Sequence, residues 1–282
     1  MATRHVGEID LAVDVVRSLE AHEARVHALP GREVRDLGDA VLLFDHRDRE
    51  PFWNRVNAIR WPAATSSFDR RLAETIALFS TLDRIPHLRP RSTRNEPADL
   101  AARLEAFGFD VVGEDHVMVL DDPAPASQHV RSPLPPGVTI ERLHAVPGAD
   151  RKAPTAALSV VLTEAFGVEV DRRAAMDAET FALFDFPAFH ALVVRVDGEP
   201  AAVAKRTTFD GATYLSSIGT RPAFRGRGLG SLAVATITAD ALASGDRWIH
   251  LGVAGANAGA IALYERFGFR RLGPPAPALL LR

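Results

Sequence analysis

Residues 221–231 read RPAFRGRGLGS, a proline-led turn with glycines at 226, 228 and 230. Upstream the chain reads ATYLSSIGT (212–220), β-branched and aromatic enough for a strand. Downstream, Leu232, Ala235, Ala239 and Leu242 recur at helical spacing until Gly245. A strand that passes through three glycines into a helix strips side chains from the turn. Backbone N–H groups can then approach an anion at the positive end of the helix dipole. The expected ligand is a phosphate. Two common phosphate loops do not fit: there is no Gly-Lys-Ser/Thr ending, and Gly230 falls one place early for Gly-x-Gly-x-x-Gly, which leaves Ser231 at the required position. Glycine in a first helical turn costs ~1 kcal/mol against alanine, and the sequence shows no structural reason for three.

Around this turn the second half alternates strand and helix signals. VTIERL (138–143) reads as a strand, 155–166 as a helix, and 190–196 and 201–209 as a hairpin about Asp197-Gly198-Glu199-Pro200; 212–220, 248–254 and the final ALLLR are further strands, with a helix beginning near Asn257. The order is mixed α/β. With 282 residues, 47% of them hydrophobic, the chain can build two ordinary domains. Residues 121–137, DDPAPASQHVRSPLPPG, replace any period with prolines and small polar residues and read as an interdomain linker.

Composition excludes several classes of function. A net charge of −3 gives no reason to expect nucleic acid as partner. The absence of cysteine removes disulfides, thiolate metal sites and a cysteine nucleophile. No window approaches the roughly 20 apolar residues that span a bilayer, and the N-terminus places charges where a signal peptide needs an apolar run. A cytoplasmic protein without membrane partners is expected.

The segment RGRGLG after a short strand, followed about 30 residues on by Asn257 and ALYERFGF (262–269), resembles the GNAT superfamily of acyl-CoA-dependent N-acyltransferases. That family writes its pyrophosphate loop Gln/Arg-x-x-Gly-x-Gly/Ala, and Arg225, Gly228 and Gly230 fill the three fixed positions. The resemblance covers 138–282. It implies that acetyl-CoA is the acyl-donor cosubstrate, that backbone groups of Ile218, Gly219 and Thr220 pair with its pantetheine amides as another strand would, and that N–H groups of Arg225, Gly226, Arg227, Gly228, Leu229, Gly230 and Ser231 take the pyrophosphate. Asn257 either caps the last helix or hydrogen-bonds the pantetheine arm. Ser231 is either a phosphate donor or an ordinary first-turn serine. No metal is required.

The resemblance also makes Tyr264 the catalytic residue. Amine attack on a thioester expels a thiolate, and a phenol within reach of the sulfur can protonate it. The competing reading is packing, since Ile261, Tyr264 and Phe267 share helical spacing. For the general base, Glu164, Glu169, Asp171, His190 and His250 all fall on candidate cleft segments, and a water chain would serve as well. His250, alternating on an apolar strand, also reads as a core histidine.

The phrase YERFGFR (264–270) has an earlier echo in LEAFGFD (104–110). Residues 85–110 run parallel to 248–270: a strand with His87 or His250, an asparagine at 95 or 257, a helix, then Phe-Gly-Phe. In the first copy a helix over 68–82 has no glycine before it, and Leu104 stands for the tyrosine. The expectation is therefore two tandem GNAT-like domains, each a mixed, mostly antiparallel sheet flanked by helices: a degenerate copy over 1–125, a linker over 126–137 and a catalytic domain over 138–282. The expected reaction is acetyl transfer to a primary amine by direct attack in a ternary complex. A longer acyl or aminoacyl donor and a non-catalytic acyl-CoA sensor are the alternatives. The acceptor is a small-molecule or peptide amine and the protein a monomer or homodimer.

Overall fold

The structure, a computed structural model, describes residues 8–90, 96–145 and 150–282. The chain forms two compact units: one runs to Val117 and takes in 253–258 and 271–282, and the other comprises 118–252 and 259–270.

The first unit contains α1 (Val13–Ala28), β1 (Glu33–Asp36), β2 (Val41–Phe44), β3 (Arg55–Asn57), α2 (Thr65–Thr81), β4 (His87–Leu88), α3 (Leu100–Phe107) and most of β5 (Asp110–Leu120). Its sheet is completed from the far end of the chain by β12 (Ala276–Leu280), in the order β1-β2-β3-β4-β12-β5. Every pairing there is antiparallel except β3 with β4. The last strand expected in the catalytic domain thus lies in the first unit, where Leu279 is fully buried between β4 and β5. Phe68, Leu72 and Phe79 of α2 pack with Leu100 and Leu104 of α3 in the same core. The helix α2 starts at Thr65, a turn before the expected 68, with Ala64 as an N-cap that offers no side-chain bond.

The second unit contains α4 (Ala124–His129), β6 (Val138–His144), α5 (Lys152–Phe166), α6 (Val170–Leu183), β7 (Phe189–Val196), β8 (Glu199–Phe209), β9 (Ala212–Thr220), α7 (Leu229–Ala243), β10 (Trp248–Ala254, through Gly252), α8 (Ala258–Arg266, from Gly259) and the start of β11 (Phe269–Arg271). Its strands run β10-β9-β8-β7-β6. Only β9 with β10 is parallel. Two-residue turns join the hairpins because Asp197-Gly198 and Asp210-Gly211 all hold positive φ, as a twist-matched turn demands.

Two sequence expectations change here. Within the expected linker, residues 124–129 form α4, whose first turn tolerates Pro125 because its N–H would be unbonded anyway. That helix packs on α7. Consequently α7 is not amphipathic: residues 232–238 are buried without interruption, while Ala239 and Leu242, expected on the core face, are only half-buried. A helix covered on both sides loses its period.

The repeat is visible in the backbone. In both units an antiparallel strand passes into a helix and then a parallel strand, β3-α2-β4 and β9-α7-β10, followed by α3 or α8. In each, the last parallel pair is followed two residues later by a left-handed residue: Val56↔Leu88 then Ala58 (φ 53°), Leu215↔Leu251 then Ser217 (φ 50°). Position 95, the asparagine of the first copy, lies outside the described residues. Among the described residues no helix is long and apolar enough to cross a membrane.

Candidate functional site

The site is built where β9 parts from β10. The parallel register runs from Ala212↔Trp248 to Leu215↔Leu251. The strand β8 stays with β9 as far as Ala202↔Thr220, but Val203↔Gly219 is followed by Lys205↔Ser216, so Ser217 and Ile218 stand opposite Ala204 alone. This is a β-bulge, and the left-handed Ser217 is its kink. A bulge bends its strand, and residues 216–220 change from buried to half-buried where the partner is lost. Ile218 and Thr220 therefore sit on a one-sided edge whose backbone groups can pair with an extended amide chain. Gly219 is there for packing: a Cβ would lie 2.9 Å from the Cβ of Ala165 at the end of α5.

Beyond Thr220, a short 3₁₀ turn over Pro222–Phe224 leads into the glycine loop. Gly226 and Gly228 hold φ of +75° and +76°, and a Cβ at either would meet nothing within 4 Å. Gly230 is helical, but its Cβ would stand 3.2 Å from Thr220 Oγ1. Each glycine thus has a backbone or packing reason that the sequence did not reveal, and the same geometry leaves a bare, open cradle. The first helical bond runs from the Leu232 N–H to the Gly228 carbonyl at 3.0 Å. Ahead of it, the N–H groups of Gly228, Leu229, Gly230 and Ser231 are the unbonded donors of a helix start. The Leu229 side chain is buried, so that residue offers backbone only.

The arginines divide by role. Arg221 donates to Glu164 at 2.9 Å and Glu199 at 2.6 Å, so Glu164, a candidate base, is held as a counter-ion. Arg225 donates from Nε to the Thr220 carbonyl and from Nη2 to the Ala165 carbonyl, both at 3.2 Å, tying the loop to β9 and α5. Arg227 leans over the Phe224 ring at 5.8 Å. Arg266 of α8 donates to Ser231 Oγ at 3.4 Å. Among the described residues Arg225, Arg227 and Arg266 have no carboxylate partner, so the cradle carries uncompensated positive charge.

The helix α8 flanks this loop, with Leu263 facing Gly230. Tyr264 is 7% exposed and meets Phe269 edge to face at 6.1 Å. Burial alone pushes its phenol up to about 12, so it keeps its proton at any working pH. The ring packs as the helical spacing predicts; Leu104, the echo position, is a wholly buried core residue. Asn257 immediately precedes α8, and its N–H donates to the Ala254 carbonyl at 2.9 Å.

The remaining base candidates disperse. His250 is 1% exposed against the Tyr214 ring, as a core histidine would be. His190 stacks on His144. Glu169 and Asp171 are exposed at the start of α6. The group that sequence reasoning missed is Lys205, buried opposite Ser216 at the bulge and donating to Thr180 Oγ1 at 3.4 Å. Burial lowers its ammonium to about 8, with Glu179 pulling weakly upward. The signal was a lysine following the unbroken apolar run AAVA in a strand (201–209).

Residues 158–269 match the model of the acetyltransferase (GNAT) family. A GCN5-related N-acetyltransferase from Kribbella flavida has a similar structure over 96% of both chains, with a TM-score of 0.67 and 23% identity. A tandem GNAT protein from the clavulanic acid biosynthesis pathway aligns over 98% of this chain and 89% of its own, with a TM-score of 0.62 and 17% identity. A functionally unknown conserved protein from Staphylococcus epidermidis aligns over 89% of this chain and 94% of its own at a TM-score of 0.67 and 13% identity. At these identities the likeness is one of fold. No curated protein matches the chain.

Proposed function

We propose that this chain, which carries a GNAT-family domain over residues 158–269, moves an acetyl group from acetyl-CoA to a primary amine by direct attack in a ternary complex. The observation that carries this reading is the bulged edge at 216–220 leading directly into an open, positively charged glycine cradle. The edge suits the amides of pantetheine and the cradle suits the pyrophosphate, so the residues present fit acetyl-CoA. The cosubstrate supplies a thioester, whose carbonyl is the electrophile and whose thiolate is the leaving group.

The chain's own residues then have separable tasks. Backbone N–H groups of 228–231 hold the pyrophosphate, with Arg227 and Arg266 adding charge. Ile218, Gly219 and Thr220 orient the pantetheine arm through their backbones. Tyr264 keeps its proton on Oη and gives it to the departing sulfur. Lys205, poised to be a free amine near pH 8 beside the bulge, is the side chain best suited to take the proton released by the attacking amine. Asn257 sets the start of α8, and with it the placement of Tyr264.

The test is thiol release from acetyl-CoA across a panel of small primary amines and amino-terminal peptides. Amine-dependent release supports the reading. Saturable acetyl-CoA binding with no release for any amine makes the chain a sensor, and release only from longer acyl thioesters moves the donor assignment.

A further inference from the structure

His144, His190 and Arg206 stand directly opposite one another on β6, β7 and β8, through the pairs His144↔His190 and His190↔Arg206. Cross-strand partners share a face, so the three form one row. The two imidazole rings lie 6.3 Å apart at 29°. Asp240 and Ser244, near the C-terminal end of α7, close the row into a cleft of about 420 Å³ that Arg142 also lines.

Arg206 is only 8% exposed. Its Nη1 donates to Thr208 Oγ1 and Ser244 Oγ, both at 2.9 Å, which fixes the guanidinium plane. Its Nε is buried without a partner, and its Nη2 makes no hydrogen bond among the described residues. The nearby carboxylates are engaged elsewhere: Asp240 takes a two-pronged bond from Arg142 at 2.7 and 3.0 Å, and Asp246 accepts from Thr213. Arg206 is therefore a buried cation whose bonded partners are neutral hydroxyls, with its forked edge unused. Buried charges are ordinarily paired.

We propose that this cleft binds the carboxylate of a small organic acid on the Nε/Nη2 edge of Arg206, with His190 and His144 hydrogen-bonding the rest of the ligand. The planar fork matches a carboxylate. Charge balance favours a monocarboxylate over a phosphate. Among the described residues Arg206 is the one cation in the cleft without an acidic partner in contact, because Arg142 is tied to Asp240. His190 is held near 4 chiefly by burial, then by Arg206 and His144, so it is neutral at pH 7 and adds a hydrogen bond but no charge. The glycine cradle lies at the other end of α7, whose 15 residues span about 22 Å. The proposed site is thus separate from the acyl-CoA edge and does not depend on the acyl-transfer reading.

The test is a titration of the full-length protein with isobutyrate, benzoate and inorganic phosphate, following the histidine ring signals by NMR. Monocarboxylates should shift His144 and His190 saturably, and should raise the His190 pKa above about 4 because the bound anion offsets Arg206. Arg206→Gln should weaken binding on the order of tenfold to a hundredfold, the range for a hydrogen bond to a charged group. If that variant does not fold, His144→Glu, at an exposed edge position, should abolish binding by placing a like charge against the ligand. Acetyl-CoA binding should be unchanged in both. The proposal is overturned if these rings stay unmoved at tens of millimolar carboxylate, if a folded variant binds as the parent does, or if phosphate binds more tightly than the monocarboxylates.

Discussion

Replacing Gly228 by asparagine separates the structural from the functional demand on the glycine loop. Gly228 holds φ of +76° as the N-cap of α7, a conformation that costs most side chains ~1–2 kcal/mol. Valine there would mix that strain with any effect on a ligand. Asparagine visits the left-handed region readily, and its Cβ would enter open space. The expected loss of stability is therefore about 1 kcal/mol or less, a fall in Tm of roughly 2–4 °C for a domain of this size. Binding should suffer far more, because the new side chain occupies the volume in which an anion reaches the N–H groups of 228–231. Losing two hydrogen bonds to a charged oxygen, each worth ~1.5–3 kcal/mol, weakens acetyl-CoA binding by about a hundredfold or more. Calorimetric titration beside a thermal melt reads both quantities. A Gly228→Asn variant that melts within a few degrees of the parent and keeps its acetyl-CoA affinity would mean that the loop is a strained turn and nothing else.

The remaining predictions concern protons and stoichiometry. Tyr264→Phe should lower kcat on the order of tenfold to a thousandfold with acetyl-CoA affinity intact; a variant that instead loses affinity and keeps its saturated turnover makes Tyr264 a packing residue. Because burial penalises the ammonium of Lys205, kcat/KM should rise as pH climbs through about 8, and steady-state profiles of Lys205→Met should lack that rise. His27 and His87 are buried with pKa lowered to about 3 and about 4, below their unfolded 6.5. Their contribution is full above pH 6.5 and is lost as pH falls toward those values, so Tm should drop between pH 6.5 and 4.5; a flat Tm there contradicts their placement. Equilibrium binding on the full chain should give one acyl-CoA per chain, and two would show that the first copy keeps a working site.

The parts of the fold that are legible in the sequence are those whose cause is local. The Asp-Gly turns, the β-branched and apolar strands 190–196 and 212–220, and the glycine loop each carry their reason within a few residues. What escapes depends on distant partners. The linker composition around Pro123 and Pro125 hides α4, whose burial comes from α7. The bulge at Ser217 leaves no mark in SSIGT, because a bulge is a mismatch of count between two strands and not a property of one. Lys205 is hidden because a lysine reads as exposed until α6 is known to cover it. Even the glycines are only half legible: Gly230 answers to Thr220 and Gly219 to Ala165, contacts that no spacing rule contains.

The corresponding helix start in the first unit is built differently. That unit keeps the parallel strand pair, the left-handed residue at Ala58 and the helix that follows. Where the second unit is bare, however, Trp61 lies 2% exposed against Phe68, and Arg103 donates to the Ala63 carbonyl at 2.8 Å. Those side chains fill the start of α2 with core and a hydrogen bond, where the second unit has the open glycine loop. The same unit also depends on β12, which hydrogen-bonds both β4 and β5. A fragment ending near residue 125 would leave two strand edges open, and a fragment starting near 133 would keep β12 without its partners. Comparing isolated halves would therefore measure misfolding. The discriminating comparison is the full chain with and without Gly228→Asn: a fall from one bound acyl-CoA to none assigns it to the second unit, and a fall from two to one refutes the degeneracy of the first.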